Sequence, residues 1–275
     1  MSHTASFWRK ASLWTGGIIV MTAVLVGLFA PYLTPTDPLL VNIEIRLSPP
    51  SPEYPLGTDH LGRSVLSRLI AGTRVSLFYA LLVLGAVLII SVPIGLVAGY
   101  VGGRTDQVLM RIIDMVLAFP SLILSLAIAG LLGPSLRNLL LAFVLVWWAG
   151  YARIIRGIVL QIKERDYIMA ARASGSTHAQ ILLRHIARNA ARPMLVLASI
   201  EIGSILLSIS GLSFLGLGAQ PPAPEWGVML NDSRPYMQTI PRLMLMPGLA
   251  IMTVVMGFNL LGEGLRQPES QDKQW

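Results

Sequence analysis

Asp166-Tyr167-Ile168-Met169-Ala170-Ala171-Arg172-Ala173-Ser174-Gly175 is a short helix by its own residues. Alanine is the strongest helix former, Asp166 stands at an N-cap position, and Gly175 stands where a left-handed residue ends a helix. Thr177-His178-Ala179-Gln180 follows with the spacing of a capping box and opens a second short helix carrying Ile181, Leu182, Leu183 and Ile186. Two short helices joined at a glycine therefore lie between strongly apolar stretches. Such a pair has two readings. It is an interfacial element drawn to anionic lipid by its arginines, or a compact knob that seats in a groove of a soluble partner and passes rigid-body motion to the spans. The residues alone leave both open.

Outward from this pair the chain is apolar: of its 275 residues 54% are hydrophobic and 13% charged. A soluble domain carries about a quarter charged residues, so this composition belongs to the membrane class. A crossing helix needs about 20 apolar residues, at about 1.5 Å each, to pass about 30 Å of hydrocarbon. Six stretches qualify: 13–33, 76–100, 108–132 with Pro120 inside it, 139–160, 193–212 and 243–261. The first follows Arg9 and Lys10 as a signal peptide would. It is long for a signal core, and Leu28-Phe29-Ala30 before Pro31 is a poor cleavage site, so it is expected to stay as an anchor.

Basic residues orient the spans. With the amino terminus cytoplasmic, 14 of the 21 Lys and Arg fall on the inner side, and eight of those lie between Arg153 and Arg192. An even span number puts both termini in the cytoplasm. Outside lie two proline-rich segments. Residues 34–73 are expected to form an ordered, turn-rich extracytoplasmic loop. Residues 216–241, with Glu225, Trp226, Asn231 and Asp232, lie on the same side. The chain thus divides into 1–33, the inner terminus and first span; 34–73, the outer loop; 74–266, the transmembrane core with the helix pair at about 164–187; and 267–275, a polar tail expected to fray.

Several chemistries are excluded. There is no cysteine, hence no disulfide, thiolate metal site or cysteine nucleophile. His3, His60, His178 and His185 form no metal-ligand spacing, and no GxxxxGK[ST] run is present, so the chain has no phosphate-binding loop of its own. No cofactor and no nucleic-acid partner is expected; lipid is. A membrane enzyme would need a convergent set of acids, bases or metal ligands at the membrane face, which the sequence lacks. A stand-alone ion channel would have no use for the glycine-jointed helix pair.

Tyr167-Ile-Met-Ala-Ala-Arg-Ala-Ser-Gly175 with Arg184-His-Ile-Ala-Arg-Asn-Ala-Ala-Arg-Pro193 resembles the EAA loop of ABC importer permeases. Leu56-Gly-Thr-Asp-His-Leu-Gly-Arg63, Arg74-Val-Ser-Leu77, Asp114 through Pro120, Ser213-Phe-Leu-Gly-Leu-Gly218 and Glu225-Trp-Gly-Val-Met229 narrow the likeness to the dipeptide/oligopeptide/nickel permease family. The order is the family's and covers almost the whole chain. The layout is that of the second of the family's two permease subunits. Trp148-Ala-Gly-Tyr-Ala-Arg153 and Gly211 through Asp232 look like the nickel-import branch. The resemblance implies an all-α, polytopic fold of the type I ABC importer permeases, with six transmembrane helices and a cytoplasmic coupling-helix pair. It implies no enzymatic activity in this chain, and as partners a homologous permease subunit, cytoplasmic ATPase subunits and a periplasmic substrate-binding protein. It makes Asp166, Ala170, Ala171, Gly175, Thr177 and His185 the residues that engage the ATPase. Two positions depart from the family pattern: Met169 replaces the motif's acidic residue, and Arg188 replaces a proline common before the Asn of the second helix. Nickel, free or chelated, is the expected cargo, with di- or oligopeptides as the alternative.

Glu201 is the acidic residue near the middle of an apolar stretch, where an ionisable side chain is costly and marks a pathway. The competing reading is a buried carboxyl hydrogen-bonded to another span. Arg111 and Asp114, three apart on one face, are expected to pair structurally. Met194, Met252 and Met256 are expected to be packing filler. Asn259 is a candidate for a bond between helices, and Gly203, Gly211, Gly216 and Gly218 for close helix approach or a bend.

Overall fold

Nine helices carry the chain in a computed structural model that describes residues 2–266. They are α1 (Ser2–Leu33), α2 (Val65–Val101), α3 (Gly103–Leu117), α4 (Ser121–Leu132), α5 (Leu136–Lys163), α6 (Asp166–Ala173), α7 (His178–Phe214), α8 (Trp226–Ser233) and α9 (Arg242–Leu265). Among the described residues the one β-bridge joins Thr58 to Ser64. The fold is all-α, as expected. The tail expected to fray, 267–275, lies outside the described residues.

Five helices are long and apolar enough to cross a membrane, and the bent pair α3–α4 makes a sixth crossing. The stretch 108–132, expected as one span, is two helices bent by 73° at the break before Ser121. Pro120 is the cause. It has no N–H to donate and disfavours helical backbone at the residue before it. Its own ψ of 123 is extended, and its carbonyl then accepts from Leu124 N at 3.0 Å to start α4.

Packing shows that this broken pair still traverses the bundle. Added Cβ atoms on Gly95 and Gly99 of α2 would lie 2.7 Å from the side chains of Ile155 and Val159 of α5. Ser91 Oγ donates to Trp148 O at 3.1 Å, and Lys163 Nζ donates to Tyr100 O at 2.7 Å. Rising numbers on α2 meet rising numbers on α5, so the two helices are parallel and end together. The chain leaves α2 at that end and enters α5 at the other, and α3 and α4 carry it back. The helices α1 and α9 are antiparallel: Gly264 meets Leu13, and Gly257 meets Ile19 and Val20. Backbones approach this closely because small residues stand at the crossings.

The other expected boundaries move outward. Helix α2 begins at Val65, with Ser64 Oγ accepting from Ser67 N at 3.3 Å, so the irregular part of the loop expected over 34–73 ends at Ser64. At 37 residues α2 is about 55 Å long, well beyond the hydrocarbon. Helix α7 runs unbroken from His178, 15 residues before the expected start at Pro193. Consequently the basic residues from Arg153 to Lys163 and from Arg184 to Arg192 lie on helix ends, not in a loop.

The proline-rich loop is ordered by its own polar groups. Asn42 N donates to Leu61 O at 3.0 Å, Leu47 N to Asp59 O at 2.9 Å and Ser48 N to Thr58 Oγ1 at 2.9 Å; Thr58 Oγ1 in turn donates to Ile45 O. Gly62, at φ +75, lets Asn42 cross it: a Cβ there would lie 1.7 Å from Asn42 O. The loop is bound to the rest through buried charge. Arg63 Nε donates to Asp59 at 2.7 Å and a second Arg63 nitrogen to Asp232 at 3.1 Å; Arg68 lies 3.5 and 3.8 Å from the same two carboxylates. Both arginine side chains are at most 1% exposed. Two cations and two anions cancel, which is what makes their burial between loop, α2 and α8 tolerable.

Glu225, fully buried, caps α8: its carboxylate accepts from Gly227 N at 2.9 Å and Val228 N at 3.0 Å. Ser76 and Ser210 add longer bonds of 3.5 and 3.4 Å. Burial pushes the Glu225 carboxyl above the usual range, and the donated bonds oppose that shift.

Candidate functional site

The helix pair of the sequence becomes one short helix and the free end of a long one. Helix α6 has Arg165 at its N-cap with no side-chain capping bond, and Asp166 is its first residue. Asp166 is therefore not the cap, which corrects the expectation; its charge acts on the helix dipole instead. The other end matches the expectation. Gly175 has φ +79, Ser176 N donates to Ala171 O at 3.1 Å and Gly175 N to Arg172 O at 3.0 Å. This is the paired bonding of a Schellman stop. Ser174 N and Oγ both donate to Ala170 O at 2.9 Å. Ala170 is exposed, and Ala171 is half-buried.

Thr177 forms the expected capping box: Gln180 N donates to Thr177 Oγ1 at 3.3 Å and Thr177 N to Gln180 Oε1 at 2.9 Å. The helix it opens does not stop. It passes through a π-helical stretch, Ile181–Ala187, and continues past Pro193 to Phe214. Two short helices joined at a glycine is thus corrected to one short helix hinged on the extended end of a span. His185 is half-buried within the π stretch, and its carbonyl accepts from Asn189 Nδ2 at 2.6 Å.

Ile168 seats α6. It is the buried residue of that helix, at 0% exposure, and joins Tyr100, Ile155, Val159, Ile181 and Ile186 in a cluster at this end of the bundle. A polar latch lies beside it: Tyr100 Oη and His178 Nδ1 are 2.7 Å apart. The sequence showed neither. Ile168 stands between Tyr167 and Met169 with no periodicity to mark it as the buried one, and Tyr100 is 78 positions from His178. On the outward side of the knob Tyr167, Met169 and Leu183 are exposed, Leu183 at 67%. Large apolar side chains held out on an ordered, capped element suit protein docking better than solvation.

Glu201 is half-buried on α7. Its carboxyl lies beside the Tyr151 hydroxyl of α5, which is buried. Ser204 is exposed one turn on, and the Ser208 hydroxyl folds back to Ser204 O at 2.8 Å. A carboxyl and two hydroxyls thus fall along one face of the membrane-crossing part of α7.

The charged residues of α3 pair with α5. Asp114 meets Arg153, and Asp106 accepts from Arg156 Nε at 2.7 Å and from a terminal Arg156 nitrogen at 2.5 Å. The expected pairing of Arg111 with Asp114 is corrected: the break at Pro120 lays α3 along α5 and turns Asp114 across to it. Asp114 is 63% exposed and Arg153 46%, so the pair faces water or protein rather than lipid. Gly203 does face a neighbouring helix, with Val255 at 3.4 Å from an added Cβ, whereas Gly211 opens onto empty space. Among the described residues no group of three His, Asp or Glu could hold a metal ion.

Comparison with known proteins gives this arrangement its family. Residues 91–267 match the model of the binding-protein-dependent transport system inner membrane component. The nickel transport system permease protein NikC of Escherichia coli (strain K12) is 44% identical over 249 residues, 90% of each chain. The dipeptide transport system permease protein DppC of Alkalihalophilus pseudofirmus is 42% identical over 259 residues, 94% of this chain and 85% of that relative. The glutathione transport system permease protein GsiD of Pectobacterium atrosepticum is 38% identical over 261 residues, 94% and 87% of the two chains. With the family model and full-length relatives agreeing, the all-helical membrane chain described above belongs to the family of binding-protein-dependent transport system inner membrane components, the permease subunits of ABC importers.

Proposed function

We propose that this chain is the second permease subunit of an ATP-driven importer that carries nickel, free or chelated, by alternating access. The observation that carries the coupling role is α6, an ordered knob seated by Ile168, bearing exposed Tyr167 and Met169, and hinged at Gly175 on a helix that reaches the mid-bundle carboxyl Glu201 without a break. On this reading Asp166, Ala170, Ala171, Gly175, Thr177 and His185 form or frame the face met by a cytoplasmic ATPase. The basic ends of α5 and α7 support a cytoplasmic position for that knob and for both ends of the chain. Residues 34–64 and 216–241 then meet a periplasmic binding protein, and a homologous permease subunit completes the pathway. ATP binding and hydrolysis in the partners reorient the pair, and this chain performs no covalent chemistry.

Nickel rests on the 44% relative, and dipeptide on one of 42%. A conduit for nickel must bind weakly enough to release it, which accords with a lone carboxyl in place of a full ligand set. Radiolabelled nickel uptake in a deletion strain, restored by this chain and unaffected by excess dipeptide, is the expected result; suppression by dipeptide would assign the cargo to peptides. Glu201→Gln is expected to lower uptake at least several-fold at normal subunit abundance. Unchanged uptake would make Glu201 a structural carboxyl only.

A further inference from the structure

We propose that the groove between α1 and α2 holds a phospholipid, with its phosphate on Arg74 and an acyl chain along the apolar walls below. The groove has a volume of about 850 Å³ and is lined by Val24 and Leu28 of α1 and by Leu77, Phe78 and Leu81 of α2, with Arg74 among them. Its back is closed where the helices nearly touch, since a Cβ on Gly27 would lie 3.4 Å from Arg74 Cα.

Two observations identify the occupant. The first is depth. Gly27 meets Arg74, so Arg74 lies on a level five residues, about 8 Å, below Tyr32 of α1. A guanidinium spans that distance by snorkelling to headgroup level, and Phe78 and Leu81 lie one and two turns deeper. Arg74 is exposed and makes no ion pair or hydrogen bond with any described residue. Asp37 also lines the groove and accepts from Leu39 N at 2.8 Å through Oδ1, without forming an ion pair with Arg74. Arg74 is thus a cation without an ion-pair partner at the edge of an apolar groove, and a lipid phosphodiester is an anion that supplies one. The second is the neighbouring face of α1. Trp14, Ile18, Met21, Leu25, Leu28 and Tyr32 are all exposed and follow one another by three or four residues, one stripe of the helix. The aromatic ends of that stripe are 18 residues apart, about 27 Å, the spacing of the two interfacial belts of a bilayer. A stripe built this way faces lipid, and the groove opens beside it.

Lipid retained by the intact detergent-purified complex tests this, counted by native mass spectrometry together with subunit stoichiometry. The complex is expected to retain one phospholipid that both Arg74→Gln and the groove-filling Val75→Phe lose and that Arg74→Lys keeps. A photo-crosslinking residue at position 78, activated in native membranes, is expected to gain the mass of one phospholipid. Equal lipid retention by the parent and both disruptive variants, or a polypeptide adduct at position 78, would overturn the proposal. The assignment stands whichever cargo the transporter carries.

Discussion

Replacing Ile168 with Asp is expected to release the ATPase from the membrane complex and abolish cargo uptake while the spans stay inserted. Helix α6 has eight residues, too few to hold its own shape in water, and Ile168 is its buried side chain. Truncating a buried Ile costs about 2 to 5 kcal/mol, and a carboxylate at a site of 0% exposure adds a charge with no partner. The rest of the cluster, Tyr100, Ile155, Val159, Ile181 and Ile186, belongs to helices anchored elsewhere, so the damage stays with α6. Ile168→Val, at about 0.5 to 1.5 kcal/mol, should leave uptake near normal. Co-purification of the ATPase and uptake in the same cells are the two readouts. Retention of both by Ile168→Asp would remove the knob from the mechanism.

Asp232→Ala is expected to have the largest effect on stability, about 3 to 5 kcal/mol, the usual cost of leaving a buried charge without its partner. Asp232 faces Arg63 at 3.1 Å and Arg68 at 3.8 Å, and without it two cations at most 1% exposed share Asp59 alone. The outer loop would lose its tie to α8, because Arg63 is the loop residue that reaches Asp232. Thermal unfolding of the purified complex, or subunit abundance in the membrane, would show the loss. Asp232→Asn, which keeps an acceptor but not the charge, should fall between. An unchanged melting temperature in Asp232→Ala would show that the network adds nothing to stability.

Much of this was legible in the residues, and the failures share one physical origin. Apolar length located every crossing, because hydrocarbon thickness fixes how many such residues a helix needs. The capping box at Thr177 and the left-handed stop at Gly175 were legible because each depends on residues at most five positions apart. Helix ends were not. Val65 and His178 lie well outside the apolar windows, since a helix that leaves the bilayer continues on packing that hydropathy does not record. Pro120 was visible in the sequence, yet prolines 31, 93, 193 and 247 lie inside helices. A proline breaks a span only where its neighbours let it, and that is decided in three dimensions. The partners of Asp114, Asp232 and His178 lie 39, 169 and 78 positions away, beyond the reach of any local pattern. Of the residues proposed to couple, Asp166 is the first of α6 and not its cap, and Ile168, which seats that helix, carries no local signal.

The uninterrupted course of α7 has a mechanical consequence. From His178 to Glu201 the helix spans 23 residues, about 35 Å, with no loop to absorb displacement. Where its π-helical stretch and Pro193 hold their shape, a rod of that length behaves as a crowbar: tilting it by about 10° moves the far end by about 6 Å. On the proposed coupling role, a shove delivered at the His178 end therefore arrives at Glu201 as leverage rather than slack, with a throw set by the rod's fulcrum among its neighbours.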